Sequence, residues 1–203
     1  LTNLTVLEDS GTTSLGLAGL TYAPGGGADE SGQTLTYTVT AVPASALGDV
    51  VLANGTTLVT ASTSYTLTDI QGMQFKAAGN ANGGPATFAF QVQDSGGTAA
   101  GGVDTLAQSL TITVTAVNDA PQKTAGTLTN LTVLEDSGTT TLGLGTLAYT
   151  PGGGTDESGQ TLTYTVTAVP SAALGDVVLA NGTTVVTASS TYTLGEIQGM
   201  QFK

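Results

Sequence analysis

The chain has 203 residues and a formal net charge of −12, with 15 acidic side chains, three basic ones, no histidine and no cysteine. Binding to nucleic acid or to anionic membrane surfaces is disfavoured, because both need many basic side chains, whereas cations are favoured partners. The missing cysteines exclude disulfides and thiolate chemistry, and the missing histidines remove the commonest general base and transition-metal ligand.

Along the chain, alternating apolar and polar residues predict β-strands and no convincing helix. In the segment TLTYTVTAV (34–42), Leu35, Tyr37 and Val39 share one face while threonines occupy the other. This pattern is typical of a half-buried strand.

Other segments predict a hairpin and further strands. Within 49–60, Asn54-Gly55 joins two short apolar runs and favours a type I′ turn. The same reasoning predicts short strands at 65–67 and 73–75 and longer ones at 87–93 and 109–117. About seven or eight short strands per copy favour an all-β fold of tandem antiparallel β-sandwiches of immunoglobulin-like build.

The chain contains a long internal repeat, because residues 1–76 recur as 128–203 at a constant offset. Such a period corresponds to a whole domain, since solenoid repeats span about 20–50 residues. We expect a first repeat at 1–118, a linker at 119–127 and a second repeat at 128–203 that is truncated before its last strands.

The second copy lacks a counterpart of residues 77–127, which hold two of the best strand candidates. An unfinished sandwich would expose its core and its strand edges. The simpler interpretation is that the natural chain continues past Lys203 with a near copy of 77–127. The alternative is that a neighbouring molecule supplies the missing strands.

Acidic residues cluster in loops and at strand ends. The clusters are Glu8-Asp9, Asp29-Glu30, Asp94, Asp104, Asn118-Asp119, Glu135-Asp136 and Asp156-Glu157. Because Ca²⁺ takes about six to eight oxygen ligands, often from flexible loops, these clusters favour a calcium site at a domain junction. The alternative is that acidic turn residues only solubilise a surface poor in lysine.

Several short motifs occur in the order found in cadherin-type repeats. VNDAP at 117–121 is similar to the interdomain linker of that family, and QDSGG at 93–97 also has a counterpart. A first strand with Glu8 and an acidic loop before LTYTV complete the order. The chain therefore resembles the cadherin-like repeats of giant bacterial surface proteins and type I-secreted adhesins.

This resemblance implies a calcium site at the junction of the two copies. Its ligands would be Glu8, Asn118 through its carbonyl, Asp119, Asp156 and Glu157. A receiving half-site for a preceding domain would consist of Asp29, Glu30 and Asp94. Three departures imply fewer or weaker ions: the family's spaced aspartates appear here as adjacent Asp-Glu, Ala120 replaces its second asparagine, and its acidic motif on the middle strand has no clear counterpart.

We therefore expect a non-enzymatic, extracellular spacer or adhesive stalk of a large bacterial surface protein, stiffened by Ca²⁺. Its partners would be neighbouring repeats of the same chain, without nucleic acid or membrane insertion. The alternative is a subunit of a self-assembling extracellular filament or surface layer with inter-chain sheet contacts. A third class, a carbohydrate-binding module, would need exposed aromatic side chains on a sheet face.

Overall fold

The computed structural model describes residues 1–203 throughout, and the chain divides into two units, Leu1–Val117 and Asn118–Lys203. The regular secondary structure of both units consists of strands apart from two short α-helices and one turn of 3-10 helix, so the predicted all-β class is confirmed. The boundary lies directly before Asn118. Of the residues expected to form a linker (119–127), Gln122–Ala125 form a strand of the second unit.

Unit 1 contains eight strands and one short α-helix. Their bounds are β1 Leu4–Leu7, β2 Thr12–Ser14, β3 Leu35–Ala41, β4 Gly48–Val51, β5 Thr63–Tyr65, α1 Leu67–Gly72, β6 Gln74–Ala77, β7 Gly83–Asp94 and β8 Thr105–Thr115. One sheet has the order β1-β8-β7-β3-β5 and the other the order β2-β6-β4. Neighbouring strands are antiparallel except β1 and β8, which are parallel.

The two sheets of unit 1 share one apolar core. Val39 of β3, Phe88 and Phe90 of β7 and Ile112 of β8 are fully buried. Phe75 of β6, in the other sheet, belongs to the same cluster. The strands predicted from alternation at 34–42, 87–93 and 109–117 are confirmed as β3, β7 and β8, because each has one face in this core.

The helix α1 was not expected, and the predicted strand at 65–67 is wrong beyond Tyr65. The Thr66 hydroxyl accepts the Asp69 amide at 3.1 Å, and the Asp69 carboxylate accepts the Thr66 amide at 3.0 Å. This capping box satisfies two amides that a helix start would otherwise leave without partners. A six-residue helix is too short to show a helical period in the sequence.

The hairpin predicted at Asn54-Gly55 forms, but the predicted type I′ turn is wrong. Only Gly55 has a positive φ, of 72°. The Asn54 side chain instead accepts the amides of Thr56 at 3.0 Å and Thr57 at 2.9 Å. These bonds stabilise the turn with only glycine in the left-handed region.

Unit 2 contains seven strands and one short α-helix. Their bounds are β9 Gln122–Ala125, β10 Thr140–Thr141, β11 Ala148–Thr150, β12 Tyr164–Val166, β13 Val177–Val178, β14 Ser190–Tyr192, α2 Leu194–Gln198 and β15 Gln201–Phe202. They form three small sheets, β10-β15-β13, β11-β9 and β12-β14. Neither α1 nor α2 has the length and apolar composition that crossing a membrane requires.

Identical sequences adopt different structures in the two units. The sequence LTVL forms β1 beside β8 in unit 1, but at 131–134 it forms no strand. The sequence LTYTVTA forms the seven-residue β3, whereas its copy forms only the three-residue β12. The difference follows from pairing, because unit 2 has no counterpart of β7 and β8.

Candidate metal centre

The acidic loop of unit 2 buries one glutamate. Glu157 is 1 % exposed, and its Oε1 accepts the backbone amide of Asp119. Its Oε2 is buried as well and accepts no hydrogen bond. A buried carboxylate oxygen without a donor is costly, so this atom is a candidate ligand for a cation.

The first residues of unit 2 are hydrogen-bonded to this loop. The Asp119 carboxylate accepts the Gly153 amide at 3.3 Å, and the Asn118 side chain accepts a hydrogen bond from Gln160 at 3.1 Å. Gly152 packs so closely against Asp119 and Glu157 that a Cβ there would collide with both. The loop is thus shaped around two carboxylates.

The acidic loop of unit 1 repeats part of this arrangement. Glu30, the counterpart of Glu157, also has a buried Oε2 without a donor, and a Cβ on Gly25 would collide with it. Gln33, the counterpart of Gln160, likewise has a buried Oε1 without a partner. The hydrogen bonds that Glu157 and Gln160 make with Asp119 and Asn118 in unit 2 have no equivalent at Glu30 and Gln33.

Glu8, which the resemblance implies as a ligand, is buried within unit 1. It is 3 % exposed, and its Oε1 accepts the Val117 amide at 2.6 Å, while Oε2 accepts the Asn82 side chain at 3.3 Å. All three residues belong to unit 1. The carboxylate thus holds the backbone at the end of its own unit.

The remaining predicted residues are more open. Asp29 and Asp156 are exposed, and neither side chain makes a hydrogen bond. Asp94 is half-buried and accepts the Gly96 amide at 2.8 Å. It lines a cavity of about 220 Å³ that also includes Tyr22, whose pKa is raised by burial and, to a smaller extent, by the neighbouring Tyr37.

The structure brings together some of the predicted ligands and not others. In unit 2 it gathers Asn118, Asp119 and Glu157. In unit 1 it leaves Asp29, Glu30 and Asp94 without a shared hydrogen bond. No group of three or more His, Cys, Asp or Glu is placed to hold a metal ion. The oxygen donors of unit 2 fit Ca²⁺ chemically, but their small number fits only a weak site.

Three residues that shape these loops were not predicted from the sequence. Asn82 donates to Glu8, Gln160 donates to Asn118, and Gly152 makes room for Glu157. The duplication of Gly25 and Gln33 as Gly152 and Gln160 was the available signal. Comparison with protein-family models, with curated proteins and with solved structures gave no match.

Proposed function

We propose that the chain is part of a non-enzymatic, extracellular spacer or adhesive stalk, built of tandem β-sandwich repeats of cadherin-like type and stiffened by Ca²⁺. The observation that carries the proposal is the buried Glu157, whose Oε2 has no donor and whose Oε1 binds the first residues of unit 2. The tandem repeat and the net charge of −12 support it further.

Asp119, Glu157 and the carbonyl of Asn118 would hold the ion. The ion would supply positive charge to the neighbouring carboxylates of Asp119 and Glu157. The protein's own part is to fix the backbone. Glu157 holds the Asp119 amide in unit 2, and Glu8 holds the Val117 amide in unit 1. Each unit therefore orders its own side of the boundary, and neutralised carboxylates would stiffen the chain around Asn118.

A calcium titration tests the proposal. We expect weak binding, with a Kd of about 10⁻⁴–10⁻³ M, and a higher melting temperature in calcium than in chelator. Asp119→Ala and Glu157→Gln should abolish this rise, whereas Asp176→Asn, at an exposed site, should keep it. Sodium chloride at matched ionic strength controls for charge screening. Identical melting of the wild type in calcium and chelator would contradict the site.

Small-angle scattering of the same samples tests the stiffening separately. Calcium should increase the rigidity of the wild type and leave Asp119→Ala unchanged. Binding without a change in scattering would retain the ion and reject the mechanical role.

A filament subunit is the second candidate, favoured by the short, open sheet of β12 and β14. Electron microscopy of purified protein separates the two. Isolated flexible strings favour the spacer, and ordered bundles favour the filament.

A further inference from the structure

One side of unit 2 has an unpaired strand edge. In unit 1, β3 lies between β5 and β7 and is bonded to both. Its counterpart β12 pairs only with β14. The edge of β12 that matches the β7 side of β3 therefore presents free backbone groups, which are a template for another strand.

An apolar groove is also open in unit 2. Its volume is about 760 Å³, and the apolar residues that line it include Leu131, Val133, Leu134, Leu142, Val177 and Phe202. The counterparts of Val133, Leu142, Val177 and Phe202 in unit 1 are Val6, Leu15, Val50 and Phe75, at 7 %, 3 %, 2 % and 0 % exposure. Those residues lie in the closed core that β7 and β8 complete.

An aromatic cluster is likewise unfinished. In unit 1 the rings of Tyr22 and Tyr37 are 5.8 Å apart, and Phe90 of β7 meets Tyr22 edge-on at 6.3 Å. In unit 2 the same tyrosine pair, Tyr149 and Tyr164, is kept at 5.7 Å. The third ring has no counterpart there.

We propose that this face of unit 2 is a docking surface for one occupant, an additional β-hairpin with the sequence pattern of β7 and β8. Unit 1 shows what such a hairpin does, because its Phe88, Phe90, Val92, Leu110, Ile112 and Val114 are all at most 5 % exposed. The hairpin would extend β12 with one strand, give residues 131–134 the partner that β1 has in β8, and fill the groove with its apolar face.

A second copy of the whole chain is not the occupant. Its only hairpin of this kind is already buried in the core of its own unit 1. Releasing that hairpin would open one core in order to close another.

The test adds a separate fragment of residues 77–127 to the full chain labelled with ¹⁵N. We expect amide exchange in 131–134 and Tyr164–Val166 to slow by about tenfold or more, with saturation at one fragment per chain and no change in unit 1. A matched fragment carrying Phe90→Asp and Ile112→Asp, which keeps the length but places charge on the apolar face, should have no effect.

A second version guards against a fragment that aggregates on its own. The chain is extended after Lys203 by a copy of 77–127, and the same amides are followed. Slowing in either version supports the docking surface. It is overturned if neither version slows exchange, or if both fragments act alike. It is also overturned if protection appears in the unextended chain alone and grows with its concentration, since a second copy would then be the occupant.

Discussion

The carboxylate of Glu8 accepts the backbone amide of Val117 at 2.6 Å, although the two residues are 109 positions apart. Glu8 is almost completely buried, and its other oxygen accepts Asn82. Its copy in unit 2, Glu135, is exposed. One sequence motif therefore has two environments, which offers a control within the molecule.

Glu8→Ala should destabilise unit 1 by about 1–3 kcal/mol, because it leaves the Val117 amide and the Asn82 side chain without the buried carboxylate that accepts their hydrogen bonds. Glu135→Ala, at the exposed copy, should change stability by less than about 0.5 kcal/mol. Urea unfolding followed by tyrosine circular dichroism measures both. Equal effects of the two substitutions would contradict a structural role for the buried carboxylate.

Gly152→Ala should destabilise unit 2 by about 1–3 kcal/mol, because the added Cβ would collide with Asp119 and Glu157 in a closed loop. Gly159→Ala is the matched control, since its Cβ would meet nothing within 4 Å. Thermal melts in chelator measure the packing effect without calcium. A Gly152→Ala variant with unchanged stability would show that the loop has room for a Cβ at this position.

Acid should weaken the start of α1. Hydrogen bonds from the Thr66 side chain and then its backbone lower the pKa of Asp69. A carboxyl whose pKa is lowered by folding contributes stability above its ordinary value of about 3.9, and this stability is lost as the pH falls through the lower folded value. Asp69→Asn should flatten that part of the stability curve between pH 5 and pH 2, and an unchanged acid limb would contradict the assignment.

Thr66→Ala should cost about 1 kcal/mol at neutral pH, because it removes the cap of α1. Thr56→Ala is a suitable control, since only the backbone amide of Thr56 bonds in its turn. Equilibrium unfolding at pH 7 compares the two, and the cap is unimportant if both cost the same.

Ile112→Ala should loosen β1 as well as the core. Ile112 is fully buried and lies opposite Leu4 in the β1–β8 ladder. The cavity should cost about 2–5 kcal/mol. Amide exchange in Leu4–Leu7 should then approach the rate of the unpaired copy at 131–134. Unchanged protection of β1 would mean that β8 does not hold it.

The long strands could be predicted from the sequence because their pattern is local. The buried side chains of β3, β7 and β8 stand at every second position within the apolar stretch of each strand, and the same alternation appears in the sequence. The helix α1 could not be predicted because its only sequence signal is one capping pair, Thr66 and Asp69. The type of the turn at Asn54 could not be predicted because hydrogen bonds of the Asn54 side chain decide it.

The candidate site was less accessible to sequence reasoning. Acidic residues mark both loops, but no local pattern distinguishes the buried Glu157 from the exposed Asp156 next to it. Glu8 acquires its role from Val117, at the far end of the unit. The sequence LTVL is a strand at Leu4–Leu7 and not at 131–134. Long-range pairing therefore decides whether this sequence forms a strand.

The parallel pairing of β1 with β8 decides how unit 1 would respond to tension. Leu4 lies opposite Ile112 and Leu7 opposite Thr115, and the ladder is extended by the Glu8 amide, which donates to the Thr115 carbonyl at 3.0 Å. The chain enters at one end of this ladder and leaves at the other. A pull on both ends would load these hydrogen bonds together, in shear, instead of unzipping them one by one. The rate of forced unfolding depends on the height of the unfolding barrier. The parallel direction of β1 and β8 would therefore make unit 1 resist a pull on its two ends.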